Sequence, residues 1–218
     1  MKILVVCSRR YNGHELITAL GIVVKAGLEF EVVSSGTRLV DEVTNKANKI
    51  RRTIDDVDPA EFSDTFKGLM IVSGNPQDTE KFWVNPKVLK LVEEADNQEL
   101  PIAAICAAVP TIRYAAKGKR VSFYPLVRAA QLLTEAGAIL TTLSFNVDGR
   151  IVTGEHQMAT GMWATAFSDL VNGVPVRTPQ LIDSKWAPKG KERRPIAAVE
   201  RLKPLHLRKV SRDGKPLK

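Results

Sequence analysis

Two cysteines, three histidines and no long apolar run set the first limits on this 218-residue chain. Cys7 and Cys106 are too few for a disulfide scaffold, which makes a reducing cytoplasm the expected compartment. His14, His156 and His206 are scattered and, with two cysteines, offer no zinc spacing. No metal and no cofactor is expected on that ground. No segment approaches the roughly 18 uninterrupted apolar residues of a membrane span. The apolar start, Ile3 to Cys7, is too short for a signal peptide and reads as a first strand. Residues 1–184 also have little net charge, with 20 Lys/Arg against 21 Asp/Glu.

The formal charge of +8 therefore comes from the end of the chain. Residues 185–218 hold 12 Lys/Arg against Glu192, Glu200 and Asp213. Prolines recur there among the basic residues and helical or strand periodicity fades. Residues 1–173 read as a folded body and 174–218 as a basic, proline-rich extended arm. Such an arm suits nucleic acid or an acidic protein surface, or simply serves as a solubilising tail. Trp186 is its only aromatic residue, so support for base stacking is thin.

The body alternates strands and helices. Ile3–Cys7 is apolar on both faces, as in a central parallel strand. A helix from about His14 to Lys25 turns Leu16, Leu20, Val23 and Val24 inward, and Gly27 stops it. Glu29–Ser35 follows as a strand, giving a β-α-β opening, and Thr37–Val40 reads as an edge strand. Asp55–Pro59 is solvated turn chemistry. Phe66–Val72 is a strand closed by the tight turn Ser73-Gly74-Asn75-Pro76, where glycine would permit positive φ. Asn85 and Pro86 start a helix as N-cap and N1 residues. A helix over Leu126–Ala136 ends at Gly137, and Asp148-Gly149 turns a hairpin. Met158, Met162, Trp163, Ala166, Phe167, Leu170 and Val171 repeat at helical spacing and predict a last core helix.

One stretch carries chemistry. The brief apolar run Ile102–Ile105 reaches Cys106, and Thr111–Ala116 reads as helix. Cys106 thus sits at a strand-to-helix turn, the setting of a nucleophile elbow, in which the sulfur stands at the carboxyl edge of a sheet beside a free N–H. The alternative is a small buried hydrophobe.

The ordered set of Ala103-Ala104-Ile105-Cys106-Ala107-Ala108, Ser73-Gly74-Asn75 and Val147-Asp148-Gly149-Arg150-Ile151-Val152-Thr153-Gly154 resembles the DJ-1/PfpI family, of the class I glutamine-amidotransferase-like superfamily. The resemblance implies a flavodoxin-like three-layer α/β/α sandwich with a mostly parallel sheet, usually as a homodimer. It implies that Cys106 is the elbow cysteine and that Glu15 is the acidic residue beside it, holding its proton to donate to the sulfur. The other option for Glu15 is an exposed carboxylate favoured by the helix dipole. Backbone N–H groups around Gly74 and Ala107 would form an anion pocket.

The chain also departs from the family pattern. Ala107 stands where protease-like members place histidine, so protease activity is the least supported. Tyr124 takes the histidine position of a T-x-H-P-like segment. His156 follows the hairpin, either reaching the site or lying on the surface. Three functions follow as expectations. The first is a cysteine hydrolase or lyase acting on small reactive carbonyls or their adducts, as glyoxalase- or deglycase-like relatives are held to do. The second is a thiol sensor of oxidative stress. The third is a catalytically inactive binding protein that uses its basic tail.

Overall fold

The computed structural model describes residues 1–176, so the expected arm lies, beyond residue 176, outside the described residues. Among the described residues there are twelve strands: β1 (Lys2–Cys7), β2 (Arg10–Tyr11), β3 (Glu29–Ser34), β4 (Arg38–Asp41), β5 (Ala47–Lys49), β6 (Arg52–Thr53), β7 (Phe66–Val72), β8 (Ile102–Ile105), β9 (Arg120–Val121), β10 (Ile139–Leu140), β11 (Phe145–Asp148) and β12 (Ile151–Gly154). The α-helices are α1 (Gly13–Lys25), α2 (Pro76–Phe82), α3 (Pro86–Asn97), α4 (Val127–Glu135) and α5 (Thr160–Val171).

The main sheet has seven strands in the order β11-β12-β8-β7-β1-β3-β6. Every pairing in it is parallel except the β11–β12 hairpin. Strand residues alternate between faces. Ile3, Val5 and Cys7 of β1 pack with Leu16, Ala19 and Val23 of α1 and Trp163 and Phe167 of α5. Leu4 and Val6 face the opposite layer, with Trp83, Val88 and Leu91 and with Ala129 and Leu133 of α4. The fold is thus a flavodoxin-like α/β/α sandwich. Because parallel strands share one direction, β1, β7 and β8 end at a common carboxyl edge, and the loops leaving Cys7, Val72 and Ile105 meet there.

Several expectations change on folding. Arg38–Asp41 belongs to a separate small sheet in the order β2-β4-β5, not to an edge of the main sheet. The expected helix at Thr111–Ala116 does not form: Thr111 and Ile112 end a 3-10 segment, Cys106–Ile112, that contains Pro110, which lacks an N–H, and turns follow it. Pro76, expected in the tight turn, instead starts helix α2, capped by the Asn75 side chain, which accepts from the Gln77 N–H. Val24, Met158 and Met162 are exposed rather than packed inward. Trp163, Ala166 and Phe167 carry the inward face of α5, and the chain around Met158 is a separate 3-10 turn, Gln157–Ala159.

Gly74 is needed for a reason other than the one expected. Positive φ occurs at Gly27, Gly118, Gly137, Gly149 and Gly173, but not at Gly74. Instead, the turn after β7 pairs with the loop after β1. The Asn12 N–H donates to Ser73 O at 3.2 Å, and the Asn75 N–H donates to Arg10 O at 2.8 Å. A Cβ on Gly74 would lie 2.0 Å from Arg10 O and 2.6 Å from Tyr11 Cα. Both obstacles are backbone and cannot swing aside. Gly74→Ala is expected to lower stability by about 3 kcal/mol or more, beyond an ordinary overpacking penalty, as read in urea unfolding. A variant as stable as the parent would mean that the two loops are not held this close.

Candidate active site

Cys106 follows the last residue of β8 with φ at +58°, in the left-handed region. A non-glycine residue there costs roughly 1–2 kcal/mol. The conformation is held from both sides. Upstream, β8 lies between β7 and β12 with every residue buried. Downstream, the buried Trp83 Nε1 donates to Ala107 O at 2.8 Å. Arg113 in turn donates to Trp83 O at 2.7 Å and to Pro110 O at 3.1 Å. The thiol is half-buried, and the Ala107 N–H donates toward its sulfur.

Glu15 lies on the first turn of α1, whose N-cap Asn12 accepts from the Glu15 N–H at 3.1 Å. The helix turns Glu15 to its buried side with Leu16, Ala19 and Val23, and none of the residue is exposed. This removes the surface-carboxylate alternative. The Ser73 hydroxyl donates to Glu15 Oε2 at 2.6 Å. The carboxyl also contacts the Cys106 thiol, loosely: the contact moves both pKa values, yet Oε1 has no close hydrogen-bond partner. Burial pushes the Glu15 carboxyl up to about 7, against the lowering effect of hydrogen bonds from Ser73 and Cys106. Burial, and then the charge of Glu15, push the Cys106 thiol up to about 12, against the lowering effect of Ser73 and the Ala107 N–H. The pair therefore holds a single negative charge over a wide range above neutrality. Sulfur becomes the anion when its proton passes to the carboxylate.

An open cleft of about 520 Å³ reaches this pair. Cys106, Glu15, Gly74, Ala107, Tyr124 and His156 all line it, so the structure brings every site residue expected from the sequence to one place. Their arrangement differs in three respects. The Gly74 N–H already donates to Thr79 Oγ1 at 3.1 Å, so it is not a free anion donor. Tyr124 is about two-fifths exposed at the rim, and its carbonyl accepts from the Leu126 N–H at 2.7 Å. His156 caps a 3-10 turn, its Nδ1 accepting from the Met158 N–H at 3.1 Å, and its Nε2 lies 3.8 Å from Glu155. Four polar cleft residues were not among the expected site residues: Asn12, Ser73, Glu42 and Gln157. Asn12 had a signal as a polar residue preceding a helix, and Ser73 as part of the turn beside Gly74. Among the described residues no group of histidine, cysteine or acidic side chains has metal-site geometry.

A cysteine elbow over a buried carboxyl, at the carboxyl edge of a flavodoxin-like sheet, defines a class of thiol-bearing α/β sandwich proteins. Residues 1–169 match the DJ-1/PfpI family, and the chain belongs to that family. It is 30% identical over 156 residues to the uncharacterized protein MJ0967 of Methanocaldococcus jannaschii, covering 70% of this chain and 73% of that one. Among solved structures, a ThiJ/PfpI domain protein from Brachyspira murdochii superposes with a TM-score of 0.70 at 18% identity, covering 80% of this chain and 98% of the other. DJ-1 of Schizosaccharomyces pombe gives 0.67 at 16% identity, covering 81% and 93%. These two structural likenesses show a shared fold.

Two predictions follow from the geometry. Cys106→Gly is expected to be more stable than Cys106→Ala by about 1 kcal/mol, since only glycine relaxes at positive φ. Equal unfolding midpoints would show that the elbow is unstrained. The second concerns pH. Glu15 holds its proton more tightly folded than unfolded, so its contribution is full below about pH 4.5 and is lost as pH rises through about 7. Between those limits the parent is expected to lose on the order of 3 kcal/mol relative to Glu15→Gln. Parallel stability curves from denaturant titrations would remove the buried-carboxyl assignment.

Proposed function

We propose that the protein is a Cys106-dependent enzyme that converts small reactive carbonyl compounds by addition of water, in the manner of a glyoxalase. The observation that carries this reading is the buried Glu15–Cys106 pair opening onto a cleft. One group is a nucleophile, and the other is a base whose carboxyl is pushed up to about 7, where proton transfer at neutral pH is efficient.

On a 2-oxoaldehyde, Glu15 takes the thiol proton as sulfur bonds to the aldehyde carbon. The carbonyl electron pair moves to oxygen, which takes that proton back from Glu15 and gives a hemithioacetal. The Ala107 N–H, which donates toward the sulfur, would be a backbone donor to the developing oxyanion. Glu15 then moves the carbon-bound proton to the neighbouring carbonyl carbon by way of an enediol. The product is a thioester of a 2-hydroxy acid, and water cleaves it to the acid and the free thiol. The oxidation of one carbon and the reduction of its neighbour balance, so no outside oxidant is required. Tyr124, at the rim, would bind substrate oxygen through its hydroxyl.

A second reading has its own support. The same N–H donor and protonated carboxyl that favour an oxyanion would favour a sulfinate on Cys106, making the thiol a peroxide sensor. The proposed setting for either role is a reducing cytoplasm, in which the thiol starts reduced.

Methylglyoxal turnover separates the readings. The parent is expected to form lactate with a kcat/KM that rises through about pH 7 and then levels off. Cys106→Ser is expected to be inactive, and Glu15→Gln slower by at least about 10²-fold. Turnover that survives Cys106→Ser would overturn the proposal. No turnover, with Cys106 taking up two oxygens from peroxide before any methionine does, would favour the sensor.

A further inference from the structure

The walls of the cleft carry an uneven charge. Among the described residues that line it there is no lysine and no arginine, while Glu42 stands with Glu15 as a second carboxylate residue. Glu42 is half-buried, and its N–H donates to Tyr11 O at 3.0 Å. The Asn12 side chain lies beside its carboxylate, donates to Gln157 Oε1 at 3.0 Å and accepts from the Glu15 N–H at the start of α1. One amide thus links the mouth of the cleft to the backbone of the helix that bears Glu15. Around Glu42, the charge of Asp41 adds to its own and that of Arg10 opposes it. Deeper in, Glu15 Oε1 is fully buried without a close hydrogen-bond partner. An incoming molecule is therefore met by a half-buried carboxylate and, among the described residues that line the cleft, by no lysine or arginine.

We propose that Glu42 is a specificity determinant that makes the cleft admit neutral carbonyl compounds and reject those carrying a carboxylate or phosphate. A like charge held at a half-buried wall raises the free energy of an anion in the cleft without touching the reacting atoms. Within the carbonyl-converting reading, on which this rests, neutral 2-oxoaldehydes are substrates, whereas 2-oxoaldehydes that carry a carboxylate or phosphate are excluded.

The test separates this selectivity from turnover by using two alkylating reagents of the same shape. Iodoacetamide is neutral and iodoacetate is anionic. Labelling of Cys106 is followed by intact mass, with Cys106→Ser as the background, and the rates are expressed relative to those of free cysteine. The parent is expected to disfavour iodoacetate, and Glu42→Gln to raise the iodoacetate-to-iodoacetamide ratio about fivefold. Added salt should raise the same ratio in the parent, a readout that needs no variant. A ratio indifferent to both Glu42→Gln and salt would overturn the proposal. In parallel, Glu42→Gln is expected to gain turnover of 4,5-dioxopentanoate, a 2-oxoaldehyde that carries a carboxylate, relative to methylglyoxal. Absence of all turnover with the labelling ratio still shifted would sink the enzymatic reading and leave the selectivity standing.

Discussion

A carboxyl buried beneath a thiol is the constraint around which this molecule is arranged. Neither group is easily ionised there, because desolvation raises both. Placing Glu15 in such a position requires a capped helix that begins at the right residue, a serine to bind one oxygen, and a loop pairing close enough to bring the two together. Asn12, Ser73 and Gly74 supply these in turn. The result is two proton sites that share one negative charge, which is what lets a weak acid and a weak nucleophile act together near neutral pH.

The sheet supplies the rigidity that this arrangement needs. Parallel strands β1, β7 and β8 deliver Cys7, Val72 and Ile105 to one edge, and their buried side chains leave little freedom to the loops that follow. The strained backbone of Cys106 persists because it is anchored by strand pairing before it and by Trp83 and Arg113 after it. Arg113 is buried and bonded to carbonyl oxygens. Among the described residues its charge is spread over the turn rather than neutralised by a carboxylate.

Membership of the DJ-1/PfpI family fixes the scaffold and the elbow but leaves the reaction to the details of the cleft. Ala107 follows the elbow cysteine and Tyr124 lies at the rim, and neither offers an imidazole. His156 is committed through Nδ1 to a backbone N–H, and Glu42 adds an acidic wall. Among the described residues, Glu15 is the group in contact with the sulfur whose carboxyl is pushed up to about 7.

Much of this was legible in the amino-acid sequence, and the parts that were not share a cause. Apolar runs bounded by glycine and proline marked β1, β3, β7 and β8, and Asn85-Pro86 marked the start of α3, because burial and capping leave local patterns. The change from strand to turn at Cys106 located the elbow for the same reason. The short strands β2, β5, β6 and β10 had no such pattern, since pieces of two or three residues are defined by their partners. The exposure of Met158 and Met162 likewise depended on where the last helix begins. Spacing marked Glu15 only as a residue on a helix, open to a surface position. Its burial, its bond to Ser73 and its contact with Cys106 join residues 58 and 91 positions away, which only the crossing of strands at a shared edge brings together. The sequence by itself determined which residue types were available to the site. Tertiary structure decided their protonation, because that depends on how much water each group loses and whose charge it meets when the chain closes around it.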